Sequence, residues 1–175
     1  MKVLSYIVRL VRGFLSDCDP RRVPAKREDG LLLAKVKRVL DGDGVLVTVF
    51  GMDISVRLSA IDCPEHDQEW GGIAKAGLIK LIGGRDVLLE QHGVDIHGRT
   101  LATVYTMNGN GLVNVNERMV AKGHAWVYRE FYGHLSWPRR DQLNSIERWA
   151  QRNRVGLWRN SDPVAPWEWR RIQNY

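Results

Sequence analysis

From Leu31 onward the hydrophobic positions fall into short runs that alternate with polar ones. Leu31 to Leu40 alternates imperfectly and meets Asp41-Gly42-Asp43-Gly44, a turn-rich cluster. Val45, Val47 and Val49 alternate cleanly, and Gly51-Met52-Asp53 is predicted to turn the chain. Ile54, Val56 and Leu58 form the next alternating segment. A first strand followed by two hairpin-linked strands is a three-stranded meander.

Beyond residue 67 the period changes. Trp70, Ile73, Ala74, Leu78, Leu81 and Ile82 recur at helical spacing, and Gly83-Gly84 stops the element, which predicts a helix over 68–82. Residues 86–91 and 100–105 read as two more strands around a loop rich in glycine and histidine. Asn114 followed by Glu117 resembles a capping box for a short helix ending at Lys122. A last helix is expected over 139–153, with Leu143, Ile146, Trp149 and Ala150 on one face. Five strands with helices inserted and appended give a mainly β, α+β domain. It is either a small barrel with about three helical buttresses or an open α+β sheet.

The ends of the chain differ from this body. Residues 1–16 fit an amphipathic helix, with Lys2, Ser5, Arg9, Arg12 and Ser16 on one face. Arg9 and Arg12 interrupt what would be the apolar region of a signal peptide, so no export signal is read and localisation stays open. Such a helix suits packing on the body, pairing with a second copy, or a membrane surface. Residues 17–30 read as a linker. Residues 160–175 read as a tail with no helical or strand period, whose Trp167 and Trp169 are expected to pin it to the body.

Composition narrows the class. The 175 residues suffice for one domain with its own core, 44% apolar content excludes general disorder, and no apolar run approaches a membrane span. Two cysteines, Cys18 and Cys63, are too few for a disulfide scaffold, although one bridge is possible. The net charge of +6 is partitioned: +6 over residues 1–40, −5 over 41–120 and +5 over 121–175. Basic flanks enclosing an acidic middle fit nucleic acid or an anionic surface as partner.

The acidic middle is clustered at predicted strand ends. Asp41 and Asp43 on a glycine-flanked turn suit either a hard cation or an ordinary hairpin turn. In Asp62-Cys63-Pro64-Glu65, Pro64 pushes Cys63 toward extended geometry. That projects the Cys63 carbonyl and the Asp62 and Glu65 carboxylates off the strand end. Four carboxylates at 41, 43, 62 and 65 repel one another unless a cation or arginines share the site, and calcium tolerates such irregular oxygen geometry well. Arg57 and Arg99 suit a phosphate through paired hydrogen bonds, or each pairs with a carboxylate. A metal with two arginines stabilises charge on a phosphodiester, and a nearby carboxylate handles the attacking water. The five histidines and two cysteines show no zinc-site spacing.

The segments VLDGDGVLV, VRLSAIDCPE, HGRTLATVY, LVNVNERMVAKGHAWVY and AQRNRVGLW, spread over residues 31–159, resemble the staphylococcal nuclease-like (thermonuclease) family. The resemblance implies a five-stranded OB-fold barrel with added helices over 31–159. It implies calcium held by Asp43, Asp62 and the Cys63 carbonyl, with Asp41 supporting the metal through water. Glu65 matches the glutamate that engages the attacking water, and Arg57 and Arg99 match the phosphate-clamping arginines. The implied activity is cleavage of DNA and RNA with little sequence preference, leaving 3′-phosphates. Three positions depart from the pattern: Gly44 stands where threonine is usual, Ile96-His97 replaces a Lys-Tyr pair, and Cys63 replaces a threonine. His97 and Tyr128 are the expected nucleotide contacts. A non-catalytic nucleic-acid-binding module is the alternative, and a scaffold built on the N-terminal helix is a third reading.

Overall fold

The structure, a computed structural model, describes residues 30–108 and 111–173. The expected N-terminal helix, most of the linker and any Cys18 bridge lie outside the described residues; Cys63 is a free, buried thiol. Among the described residues there are eight strands: β1 (Leu31–Val39), β2 (Gly44–Val49), β3 (Met52–Leu58), β4 (Ile61–Asp62), β5 (Asp86–Val94), β6 (Thr100–Asn108), β7 (Gly111–Asn114) and β8 (Trp126–Val127). They are joined by four α-helices: α1 (Gly71–Ile82), α2 (Val115–Ala121), α3 (Trp137–Arg152) and α4 (Pro166–Gln173).

The alternating runs build the barrel. Antiparallel β3-β2-β1-β5-β6 closes on itself because β3 also pairs parallel with β6, placing Val56 beside Thr100 and Arg57 beside Leu101. This is the five-stranded OB-fold barrel, and closure leaves no unpaired edge among those five strands. Val36, Val45, Val47, Val56, Leu58, Val87 and Leu89 point inward and are fully or nearly fully buried. The β2–β3 turn is Phe50-Gly51 rather than 51–53. Both residues have positive φ, 50° and 80°, and Met52 already pairs with Val49.

Helices α1, α2 and α3 contribute to the same hydrophobic core as the barrel. α1 buries Ala74, Leu78 and Ile82, while Ile73 is about half exposed. α2 is capped as expected, the Asn114 side chain accepting from the Glu117 N–H. Buried Asn116 ties α2 to the barrel: it accepts from Val104 N–H at 3.0 Å and donates to the Ser59 carbonyl at 2.9 Å. α3 turns nearly the expected face inward, with Ile146 packed against the core, but the face is shifted toward Glu147 and away from Trp149. Leu143, Glu147 and Ala150 are buried, and Trp149 is 55% exposed. The reason is the Glu147 carboxylate, which accepts the Val127 N–H of β8 at 2.8 Å and pairs with Arg129.

The tail also differs from expectation. Residues 166–173 form α4, which Pro166 starts without loss because a first-turn N–H has no helical partner. Two turns are too short to display a period. Trp167 stacks on Tyr128, with ring centroids 5.3 Å apart and planes at 5°. The tail therefore folds back on the barrel as a helix.

Candidate active site

The acidic turn between β1 and β2 is a hairpin with its own internal bonds. The Asp43 N–H donates to Asp41 Oδ1 at 3.1 Å and the Leu40 N–H to the Gly44 carbonyl at 2.8 Å. The Asp41 carboxylate lies against Gly44, where a Cβ would sit 2.7 Å from Asp41 Oδ1 and would push that side chain aside. The backbone of Asp43 is fixed by β3, whose Leu58 N–H donates to its carbonyl at 2.8 Å.

Ala60, with φ of 64°, bends the chain between β3 and β4, and β4 then pairs with β8 so that Asp62 lies opposite Trp126. Arg57 bridges the two acidic segments. One terminal nitrogen donates to Asp43 Oδ1 at 2.9 Å and the other to Asp62 Oδ1 at 2.7 Å. The Cys63 N–H donates to Asp43 Oδ2 at 3.1 Å. Burial pushes the Asp43 carboxyl well above the ordinary range; Arg57 opposes this, and Asp62 and Asp41 reinforce it. Burial also raises the Cys63 thiol, helped by Asp43 and Asp62. For Arg57 burial works against the charge, but Asp43 and Asp62 outweigh it, so the guanidinium is held charged above its ordinary range.

Glu65 lies beside this pair. Its N–H donates to Gln68 Oε1 at 3.1 Å, and Gln68 in turn donates to the Val164 carbonyl at 2.7 Å. The start of α1 crosses the Glu65 carbonyl so closely that a Cβ on Gly71 would fall 1.8 Å from it, which requires glycine there. The Glu65 carboxylate is held by Arg170 of α4, at 2.6 Å from Oε1. Arg170 also donates to Asp62 Oδ2 at 2.7 Å.

Arg99 approaches from the β5–β6 loop. Asp95 organises it: Oδ1 accepts the His97 and Arg99 N–H groups, each at 2.9 Å, and Oδ2 accepts Arg99 Nε at 2.8 Å. Burial favours a higher Asp95 pKa, but these bonds outweigh it and hold the carboxyl below its ordinary range. The two terminal nitrogens of Arg99 are left without a partner among the described residues. Ile96, 96% exposed, and His97 stand at the rim.

Asp41, Asp43, Arg57, Asp62, Cys63, Glu65, His97, Arg99 and Tyr128, all expected from sequence, line one cleft of about 720 Å³. Two further residues share it and were not legible beforehand. Asp95 carried a faint signal, an Asp opening a turn that returns at Arg99 through Gly98. Arg170 carried none, since 105 residues separate it from Glu65.

The donor set fits a hard cation. It is all oxygen, its carboxylates outnumber the arginines that touch them, and Asp43 is crowded by two neighbouring acids. As they stand, no three His, Cys, Asp or Glu side chains among the described residues converge as a ligand cluster. Guanidinium groups hold oxygens that a cation would need.

The model of the family described as staphylococcal nuclease homologue matches residues 55–160. The chain is 39% identical over 142 residues to a micrococcal nuclease of Shigella flexneri, covering 78% of this chain and 79% of that protein. It is 38% identical over 148 residues to protein ParB of Escherichia coli, covering 82% and 81% respectively. It is 31% identical over 161 residues to the probable staphylococcal-like nuclease CAN1 of Oryza sativa subsp. japonica, covering 92% of this chain and 40% of that protein. The chain belongs to the staphylococcal nuclease-like family.

Proposed function

We propose that this chain is a calcium-dependent endonuclease that hydrolyses phosphodiester bonds in DNA and RNA with little sequence preference and leaves 3′-phosphates. The observation that supports this best is the meeting of four carboxylates from two acidic segments, Asp41, Asp43, Asp62 and Glu65, with Arg57 and Arg99 in one cleft. That inventory matches what in-line attack of water on a phosphodiester requires.

In this reading Asp43, Asp62 and the Cys63 carbonyl hold calcium, with Asp41 bracing the turn and supporting the ion through water. Calcium supplies positive charge at the phosphate and lowers the pKa of a bound water. Glu65 orients the attacking water and takes its proton. Arg57 and Arg99 receive the charge that develops on the equatorial oxygens, Arg99 through the two nitrogens that Asp95 leaves open. Tyr128 flanks the nucleotide and is kept upright by Trp167 on one face. His97, at the rim, contacts the neighbouring phosphate or base.

The test is the chemistry of the ends. End-labelled DNA and RNA oligonucleotides are incubated with purified protein in calcium, magnesium, manganese or chelator, and fragment ends are read by mass spectrometry. Calcium-dependent fragments ending in 3′-phosphates are expected. Binding without fragments in every metal would favour the non-catalytic module.

A further inference from the structure

The fourth helix places a third arginine against the proposed catalytic carboxylates, and it lies beyond residues 55–160. Arg170 makes three contacts there: one terminal nitrogen lies 2.6 Å from Glu65 Oε1 and 3.4 Å from Asp62 Oδ1, and the other 2.7 Å from Asp62 Oδ2. With Arg57 on Asp62 Oδ1, both oxygens of that carboxylate are taken by guanidinium groups. Asp62 would hold a cation through these oxygens, and Glu65 Oε1, held by Arg170, is one of the two through which Glu65 would face a water.

A divalent ion and a guanidinium cannot occupy one side of the same carboxylate. They repel, and each needs the same lone pairs. Of the two arginines, Arg57 is the more deeply enclosed, lies in a paired strand and bridges two acids. Arg170 is more exposed and sits on a two-turn helix at the cleft wall. Its backbone is secured without the ion pairs: Trp167 stacks on Tyr128, Ala165 and Pro166 are buried, and Val164 accepts from Gln68. The side chain can therefore leave the carboxylates while the helix stays docked. Its fork then remains within the same cleft as Arg57 and Arg99, where the phosphate would lie.

We propose that Arg170 is a third active-site arginine: an exchangeable counter-ion that releases Asp62 and Glu65 when a divalent cation binds and then engages the substrate phosphate. The second half rests on the nuclease reading; the first half does not. A permanent ion pair that merely fastens α4 to the barrel makes the opposite forecast for metal binding.

Two binding measurements on the full-length protein, neither needing cleavage, decide between them. Calcium is titrated calorimetrically into chelator-treated wild type, Arg170→Gln and Arg170→Lys without nucleic acid, and thermal melts check that each variant is folded. Arg170→Gln is expected to bind calcium about tenfold more tightly or better, because the competing charge has gone. Arg170→Lys, which keeps the charge but not the fork, should fall between. Next, the affinity of each protein for a short phosphorothioate oligonucleotide is measured in saturating calcium, and Arg170→Gln is expected to lose about tenfold. Calcium affinity that is unchanged, weaker or absent in every protein would overturn the counter-ion role. Undiminished oligonucleotide affinity would overturn the phosphate role. A wild type that binds both probes as expected yet cuts nothing counts against the nuclease reading alone.

Discussion

Arg57 and Arg99 are held by acids in different ways. Arg57 spends both terminal nitrogens on Asp43 and Asp62 and so keeps two acidic segments together in spite of their repulsion. Arg99 is gripped at Nε by Asp95, which fixes its plane and leaves the fork open. Replacing Asp95 by Asn should leave the fold intact but let that plane wander. The expected result is a fall of about 10- to 100-fold in kcat/KM for oligonucleotide cleavage, partly rescued at high calcium only if Arg99 is not the affected group. Steady-state kinetics on wild type, Asp95→Asn and Arg99→Ala checks this, since Arg99→Ala should lose at least as much as Asp95→Asn and the double variant little more than Arg99→Ala alone. At this scale the carboxylates and both arginines were readable because each sits in a contiguous motif beside a turn or strand end. Arg170 was not, because nothing local in Trp-Arg-Arg-Ile says which distant acid the docked helix will meet.

The strands were legible because a half-buried strand must alternate, and β2 and β3 do so without exception in their inward residues. The two-residue strands β4 and β8 are too short to show alternation, and α4 is too short to show a helical period. Leu143, Ile146 and Ala150 of α3 face inward as their spacing predicts, and only the edge of that face differs, for another reason. Periodicity scores Trp149 as buried and Glu147 as exposed, whereas a free β8 N–H and Arg129 recruit the carboxylate inward. A second polar cluster has a consequence for stability. His92 of β5 lies against His134, ring centroids 4.2 Å apart, and its Nε2 is 2.8 Å from Thr103 Oγ1. Burial pulls the His92 pKa down to about 4; His134 and Arg139 add to this and Glu90 opposes it. Burial lowers His134 as well, with Arg139 and Arg140 in the same direction. Both rings are thus neutral in the folded protein where an unfolded histidine would already take a proton. The contribution is present above the ordinary histidine pKa of 6.5 and is lost as pH falls toward about 4. Thermal melts of wild type and His92→Gln between pH 7.5 and 4.5 should show the difference between them narrowing or reversing on acidification. A constant difference would place the pH dependence elsewhere.

At the scale of the whole molecule, several of the described basic residues that flank the acidic middle are engaged away from the acidic cleft. Lys35 and Lys37 pair with Asp86 and Asp53 on the barrel. Arg139 is engaged by Glu90, Thr103 and Tyr105, and Arg140 by the Leu135 and Gly133 carbonyls and the Tyr132 ring. Arg159 lines a separate cleft with Arg118, Lys122 and the exposed Trp149. Among the described residues of the C-terminal third, Arg170 is the basic residue that lines the acidic cleft. What the sequence could state about this scale was the sum and its division along the chain; which side each charge faces depends on how helices dock, and that is decided by pairs such as Glu147 with β8. We propose that the acidic cleft cuts phosphodiesters with calcium and that Glu65 handles the water. The most direct measurement is the rate of linear duplex DNA degradation by wild type and Glu65→Ala across a buffered calcium series that ends in excess chelator. The expected result is wild-type cleavage that rises with calcium and vanishes in chelator, with Glu65→Ala slower by about 100-fold or more at every point. Cleavage that persists in chelator, or a Glu65→Ala protein that cuts at near the wild-type rate, would contradict it.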